Sequence, residues 1–162
     1  MFLNFSIFLL LLECYTSNLT FTLLKGKSTR NDYQSIMIAE SLAEQSFDNG
    51  DFDQHMSLWG NEVTFESPFG SFENDSDGYL GWLKGFYNQT QAMDGTRHLI
   101  MNPVITINGN EAQFVGYLQI LNKKDGSFMG TSVMNDRFKK TTDGWKFTYR
   151  SVAPDQDMTS LQ

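Results

Sequence analysis

The chain has 162 residues, enough for one domain with a single real core. It is 40% hydrophobic and 14% aromatic, so its composition is not that of a disordered chain. Its formal net charge of −7 comes with no basic cluster to neutralise phosphate, so no nucleic-acid partner is expected.

Met1 to Leu12 is an apolar run, too short to span a bilayer as a helix. Its length suits the apolar region of a secretory signal peptide. However, no Lys or Arg precedes it, and Cys14-Tyr15-Thr16-Ser17 is a poor cleavage site. Three readings stay open: a weak signal peptide and a secreted protein, an anchor, or an extension on an otherwise cytoplasmic domain. Cys14 is the only cysteine, so no intramolecular disulfide is possible. Residues 1–31 are read as an N-terminal extension, 32–155 as the folded domain and 156–162 as a polar tail.

From Asn31-Asp32 the pattern turns helical, with Ile36, Ala39, Leu42-Ala43 and Phe47 on one face. Asp48-Asn49-Gly50 ends this helix, and Gly50 supplies the positive-φ position. Asp51-Phe52-Asp53-Gln54 opens a second helix with a capping pattern. Its buried stripe is Phe52, Met56 and Trp59, and His55 is expected to face solvent. Glu62 to Glu66 alternates as a short strand, broken at Pro68 and Gly70, with Phe69 and Phe72 in a following loop. Asn74-Asp75-Ser76-Asp77 offers N-caps for a third helix. Tyr79, Leu80, Trp82, Leu83, Phe86 and Tyr87 make that helix aromatic, a pattern more often core packing than a ligand platform. The expected helices are 32–48, 51–60 and 75–90.

After Gly95 long alternating segments follow, joined by tight turns. Strands are expected at 62–67, 97–107, 111–121, 127–140 and 144–152, with Asp125-Gly126 and Asp143-Gly144 as hairpin signals. Both faces of Glu111–Leu121 are largely apolar, so one is expected on helices and the other lining an interior. Within the first long strand, His98 shares a face with Ile100. A histidine among aliphatics is either a core residue satisfied by one hydrogen bond or the working group of a buried pocket. Trp145, Phe147 and Tyr149 read as core, and Arg150 as a surface or interface residue. Helices followed by an antiparallel meander make an α+β arrangement, in which a curled sheet leaves a concavity over the helical layer. With His55 and His98 as the sole histidines, a histidine- or cysteine-rich metal site is not expected. No glycine-rich phosphate loop or nucleophile-elbow serine occurs.

The ordered set Asp48-Asn49-Gly50-Asp51-Phe52, Glu62-Val63-Thr64-Phe65, Arg97-His98-Leu99 and Asp143-Gly144-Trp145-Lys146-Phe147 resembles the SnoaL-like group. That group belongs to the nuclear transport factor 2-like superfamily, and the resemblance covers about residues 32 to 155. It implies a cone-like barrel: three N-terminal helices packed on a strongly curved, mostly antiparallel sheet. The fold hosts dehydratases, isomerases, polyketide cyclases and non-catalytic members, so it does not choose a reaction.

In dehydratase-like relatives an acid near the end of the first helix pairs with a histidine at the start of the long strand. Asp48 and His98 match those positions. A carboxylate on one imidazole nitrogen fixes the tautomer and raises the basicity of the other, giving a base for a proton next to a carbonyl. Tyrosines common in relatives are replaced by Ala43 and Met134, so the group that would polarise the carbonyl must be another, with Tyr117, Tyr79 or Tyr87 as substitutes. The resemblance thus implies His98, Asp48 and Tyr117 as catalytic, and a wall of Trp59, Phe65, Trp82, Phe86 and Met134 around a small apolar molecule. It implies no cofactor, and a homodimer paired through the outer face of the sheet. The alternative is a non-catalytic ligand-binding or scaffold domain with the same cavity.

Overall fold

The computed structural model describes residues 31–155. The signal-peptide-like run, Cys14 and the polar tail lie outside the described residues.

Helix α1 (Asp32–Asn49) begins where the Asn31 side chain accepts the Gln34 backbone N–H, and buries Ile36, Ala39, Ala43 and Phe47. It ends at Gly50, whose left-handed φ of 70° turns the chain. There the N–H groups of Gly50 and Asp51 satisfy the carbonyls of Phe47 and Ser46. Asp51 caps the short α2 (Phe52–Ser57). This helix is shorter than expected because strand β1 (Trp59–Ser67) begins already at Trp59. The expected loop at Phe69 and Phe72 instead holds a short strand, β2 (Gly70–Phe72), antiparallel to β1. Helix α3 (Ser76–Ala92) starts at Asp75, whose side chain accepts from the Gly78 N–H. Strands β3 (Thr96–Asn108), β4 (Glu111–Asn122), β5 (Phe128–Thr141) and β6 (Gly144–Pro154) follow.

Among the described residues the result is α+β: three helices and one curved six-stranded sheet in the order β2-β1-β6-β5-β4-β3. Neighbours are antiparallel except β1 and β6, which run parallel. Two helices precede the sheet, and the third lies between β2 and β3. Helix α1 packs on β3 and β6, and α3 packs on β1 and β2.

Alternation in β4 sorts its two faces. Ala112, Phe114 and Leu118 are buried, whereas Gln113 and Tyr117 are exposed. The expectation that both faces of this strand are covered is therefore corrected: one faces the core and the other is open among the described residues. Strand β3 is the sheet edge, which tolerates Pro103 without a lost ladder bond. A bulge between Met101 and Val104, with Asn102 at φ 50°, keeps Ile100 and Ile105 both on the inner face.

Candidate functional site

The turn after α1 fixes Asp48 against the start of β3. Its Oδ1 lies 2.6 Å from His98 Nδ1, and its Oδ2 accepts the backbone N–H of His98 at 2.9 Å. Thr96 Oγ1 donates to the same carboxylate at 3.4 Å, and Lys123 Nζ donates to the Asp48 carbonyl at 3.3 Å. Arg97, largely solvated, reaches only 3.9 Å. The carboxylate can only accept, so His98 Nδ1 carries the proton and Nε2 is the free nitrogen. The edge of the ring rests on Phe47, with centroids 5.4 Å apart.

His98 borders a cavity of about 300 Å³ between the helices and the inner face of the sheet. Its wall is mostly apolar, with Phe47, Phe65, Phe69, Leu83, Leu118, Ile120 and Val152. Trp82 and Phe86 stack along α3 at 5.1 Å and nearly parallel, and Trp82 Nε1 donates to the Phe69 carbonyl. Gly70 permits this approach, because a Cβ there would lie 2.8 Å from Trp82 Nε1.

Of the expected site residues, His98, Phe65, Trp82 and Phe86 border the cavity, and Asp48 stands directly behind His98. Three do not reach it. Tyr117 is 47% exposed on the opposite face of β4, because its neighbours Gly116 and Leu118 take the inward phase. Trp59 packs between Tyr79 and Phe147 in the core. Met134 is fully buried within β5, among the core residues rather than at the cavity wall. Tyr87 packs on Phe47 and Phe52, whereas Tyr79 lines the cavity.

Two expectations of exposure are overturned as well. His55 is 3% exposed and Arg150 is 4% exposed. Arg150 crosses the interior and binds three carboxylates. Its Nη1 donates to Glu44 at 2.8 Å, its Nε and Nη2 to Asp136 at 3.1 and 2.9 Å, and its Nη2 also to Glu40. Burial raises the pKa of Glu40 well above the usual carboxylate range, and neighbouring Asp136 adds to the rise. Burial also raises Asp136, against the pull of Arg150. Glu40 Oε1 and Asp136 Oδ1 are buried with no donor among the described residues, in keeping with the raised pKa of both groups. Burial alone would lower the Arg150 pKa, but the three carboxylates hold it above its ordinary value.

His55 belongs to the same buried region. Its Nε2 lies 3.0 Å from the Tyr79 hydroxyl, and its Nδ1 lies 3.1 Å from the Ala43 carbonyl. Burial and the nearby Arg150 charge push its pKa down to about 4. One sequence signal pointed here: Glu40 and Glu44 fall inside the apolar stripe of α1, between Ala39, Ala43 and Phe47. A charge within a buried stripe needs a buried partner. No group of three or more His, Cys, Asp or Glu side chains is poised to hold a metal among the described residues.

A sequence model described as a SnoaL-like domain matches residues 29–151. A comparison with curated proteins finds no significant match. Among solved structures, a protein of unknown function with a cystatin-like fold from Nostoc punctiforme aligns with a TM-score of 0.69 and 21% identity. That alignment covers 82% of this chain and 98% of the other. An NTF2-like protein with a cystatin-like fold from Novosphingobium aromaticivorans has a TM-score of 0.63 at 18% identity, covering 80% and 85% of the two chains. A dehydratase candidate of the NTF2-like family from Streptomyces avermitilis has a TM-score of 0.67 at 18% identity, covering 78% and 97%. Likenesses at this identity speak to the fold.

Proposed function

The chain belongs to the SnoaL-like domain family of the nuclear transport factor 2-like superfamily, and on that premise we propose a cofactor-free proton-transfer enzyme in a cone-like barrel. The reaction class is that of a dehydratase, isomerase or cyclase acting on a small apolar molecule. The observation that carries this reading is the 2.6 Å contact of Asp48 with His98 at the wall of an apolar cavity. Asp48 orients the ring and fixes its tautomer, and Nε2 takes a proton from a carbon next to a carbonyl. The electron pair of the broken C–H bond moves into the new double bond. It ends on the carbonyl oxygen as an enolate, or it expels a leaving group from the next carbon. The dehydratase candidate from Streptomyces avermitilis is consistent with this class.

The test is hydrogen exchange in D2O. A panel of small cyclic ketones and β-hydroxy ketones is incubated with the protein and followed by proton NMR. The expected result is enzyme-dependent deuterium uptake or elimination, lost in His98→Ala while the fold is retained. Ligands that shift the melting temperature of both forms, with no exchange in either, would replace the proposal with its alternative. That alternative is a non-catalytic binding domain. Ala43 and Met134 favour it, since they stand where dehydratase-like relatives carry tyrosines. In either reading the functional unit is proposed to be a homodimer paired through the outer face of the sheet.

A further inference from the structure

The cavity has a second polar region besides His98. Glu44, Tyr79 and Arg150 border it, with His55 bonded to Tyr79. The direction of each hydrogen bond follows from the atoms involved. The Ala43 carbonyl can only accept, so His55 Nδ1 carries the imidazole proton. Nε2 of the neutral ring is then an acceptor, and the Tyr79 hydroxyl donates to it. The Tyr79 proton is committed to His55, and what its oxygen offers the cavity is lone pairs.

Glu44 is 8% exposed and uses Oε1 for Arg150. Among the described residues no donor pairs with Oε2. This region therefore also presents an acceptor. An arginine beside a cavity would ordinarily suggest an anion site. Here each nitrogen of the guanidinium already donates to a carboxylate. Three carboxylates face the one guanidinium, so its charge is fully engaged. Trp82, Phe86 and Phe65, packed ring on ring beside Tyr79, give the adjoining wall a flat apolar surface.

We propose that this end of the cavity takes a protonated amine carried on a flat apolar body, with Glu44 as its anionic partner and Tyr79 as a further acceptor. The assignment rests on the reading that the cavity binds a small molecule, and it holds whether or not that molecule is turned over. A carboxylate ligand would meet acceptors, with the guanidinium already engaged. A neutral alcohol would donate one hydrogen bond without charge compensation.

Isothermal titration of the full chain near neutral pH tests this with three probes of one shape: naphthylethylamine, naphthylethanol and naphthylacetate. The amine is expected to bind about tenfold more tightly than the alcohol, with the carboxylate weakest. Glu44→Gln is expected to lower amine affinity about tenfold while changing that of the alcohol by less than about twofold. Equal or tighter binding of the carboxylate overturns the proposal, as does an amine preference that survives Glu44→Gln. If that variant fails to fold, the wild-type amine-to-alcohol ratio decides alone. Alcohol binding without an amine preference sinks only this proposal, whereas failure of all three probes also sinks the ligand-binding reading.

Discussion

Single side chains carry both the proposed chemistry and the expected pH dependence of stability. Asp48 accepts from His98 twice and from Thr96, so Asp48→Asn breaks buried hydrogen bonds as well as the tautomer lock. It is expected to cost about 1–3 kcal/mol in denaturant melts and to lower turnover without abolishing it. His98→Ala should abolish turnover at smaller cost to the fold, so the ratio of activity loss to stability loss separates a base from a structural partner. His55 gives a second prediction. Its folded pKa near 4 lies below the ordinary 6.5, so the folded state binds fewer protons between those values. Its contribution is full above pH 6.5 and is lost as the pH falls toward 4, up to about 3 kcal/mol. Thermal melts across that window should show the loss, and His55→Asn should flatten it. Glu40 has the opposite sign. Its raised folded pKa contributes stability that is full below its ordinary value of 4.5 and is lost as pH rises through the folded value. Glu40→Gln mimics the protonated form, and its melting temperature should fall less than that of the wild type toward alkaline pH.

At the scale of elements, the turn between α1 and α2 is what aims Asp48. Gly50 adopts φ 70°, and a Cβ there would meet the Tyr87 ring at 2.9 Å. Gly50→Ala is therefore expected to destabilise by about 1–3 kcal/mol, through backbone strain and displacement of Tyr87. Because Asp48 lies two residues before the turn, the variant should also weaken proton transfer by whatever fraction of the dyad contact it disturbs. Unchanged stability by chemical denaturation would refute this account of the turn. The bulge in β3 acts at the same scale. It re-phases the strand after Met101 and leaves the inner face apolar at Ile100 and Ile105.

For the whole molecule, the outer face of the sheet is where apolar side chains are exposed. Register places Met101 opposite Tyr117, and Tyr117 opposite Val133, on one face. Leu99 and Val104 lie on that face too, and Val104 is 63% exposed. A contiguous apolar patch of this kind is what a self-complementary two-fold interface covers. Light scattering at micromolar concentration is expected to report a dimer, and Tyr117→Glu to convert it to monomer with the fold intact. A wild-type monomer at that concentration would refute the dimer. The resemblance implied Tyr117 as catalytic, whereas its exposed place on the outer face fits the proposed interface.

The sequence by itself determined what depends on neighbours along the chain. The cap at Asp51, the left-handed turn at Gly50, the hairpins at Gly126 and Gly144 and the alternation of β4 all follow from residues within a few positions. The placing of Asp48 near His98 was suggested by family resemblance rather than by local pattern. Tertiary structure alone decided which face of β4 turned inward, since alternation defines two faces but not which is covered. It also decided that His55 and Arg150 are interior. Arg150 is 106 residues from Glu44 and 14 from Asp136, and only folding brings three carboxylates around one guanidinium. A buried charge depends on partners from distant elements, and local periodicity carries no record of them.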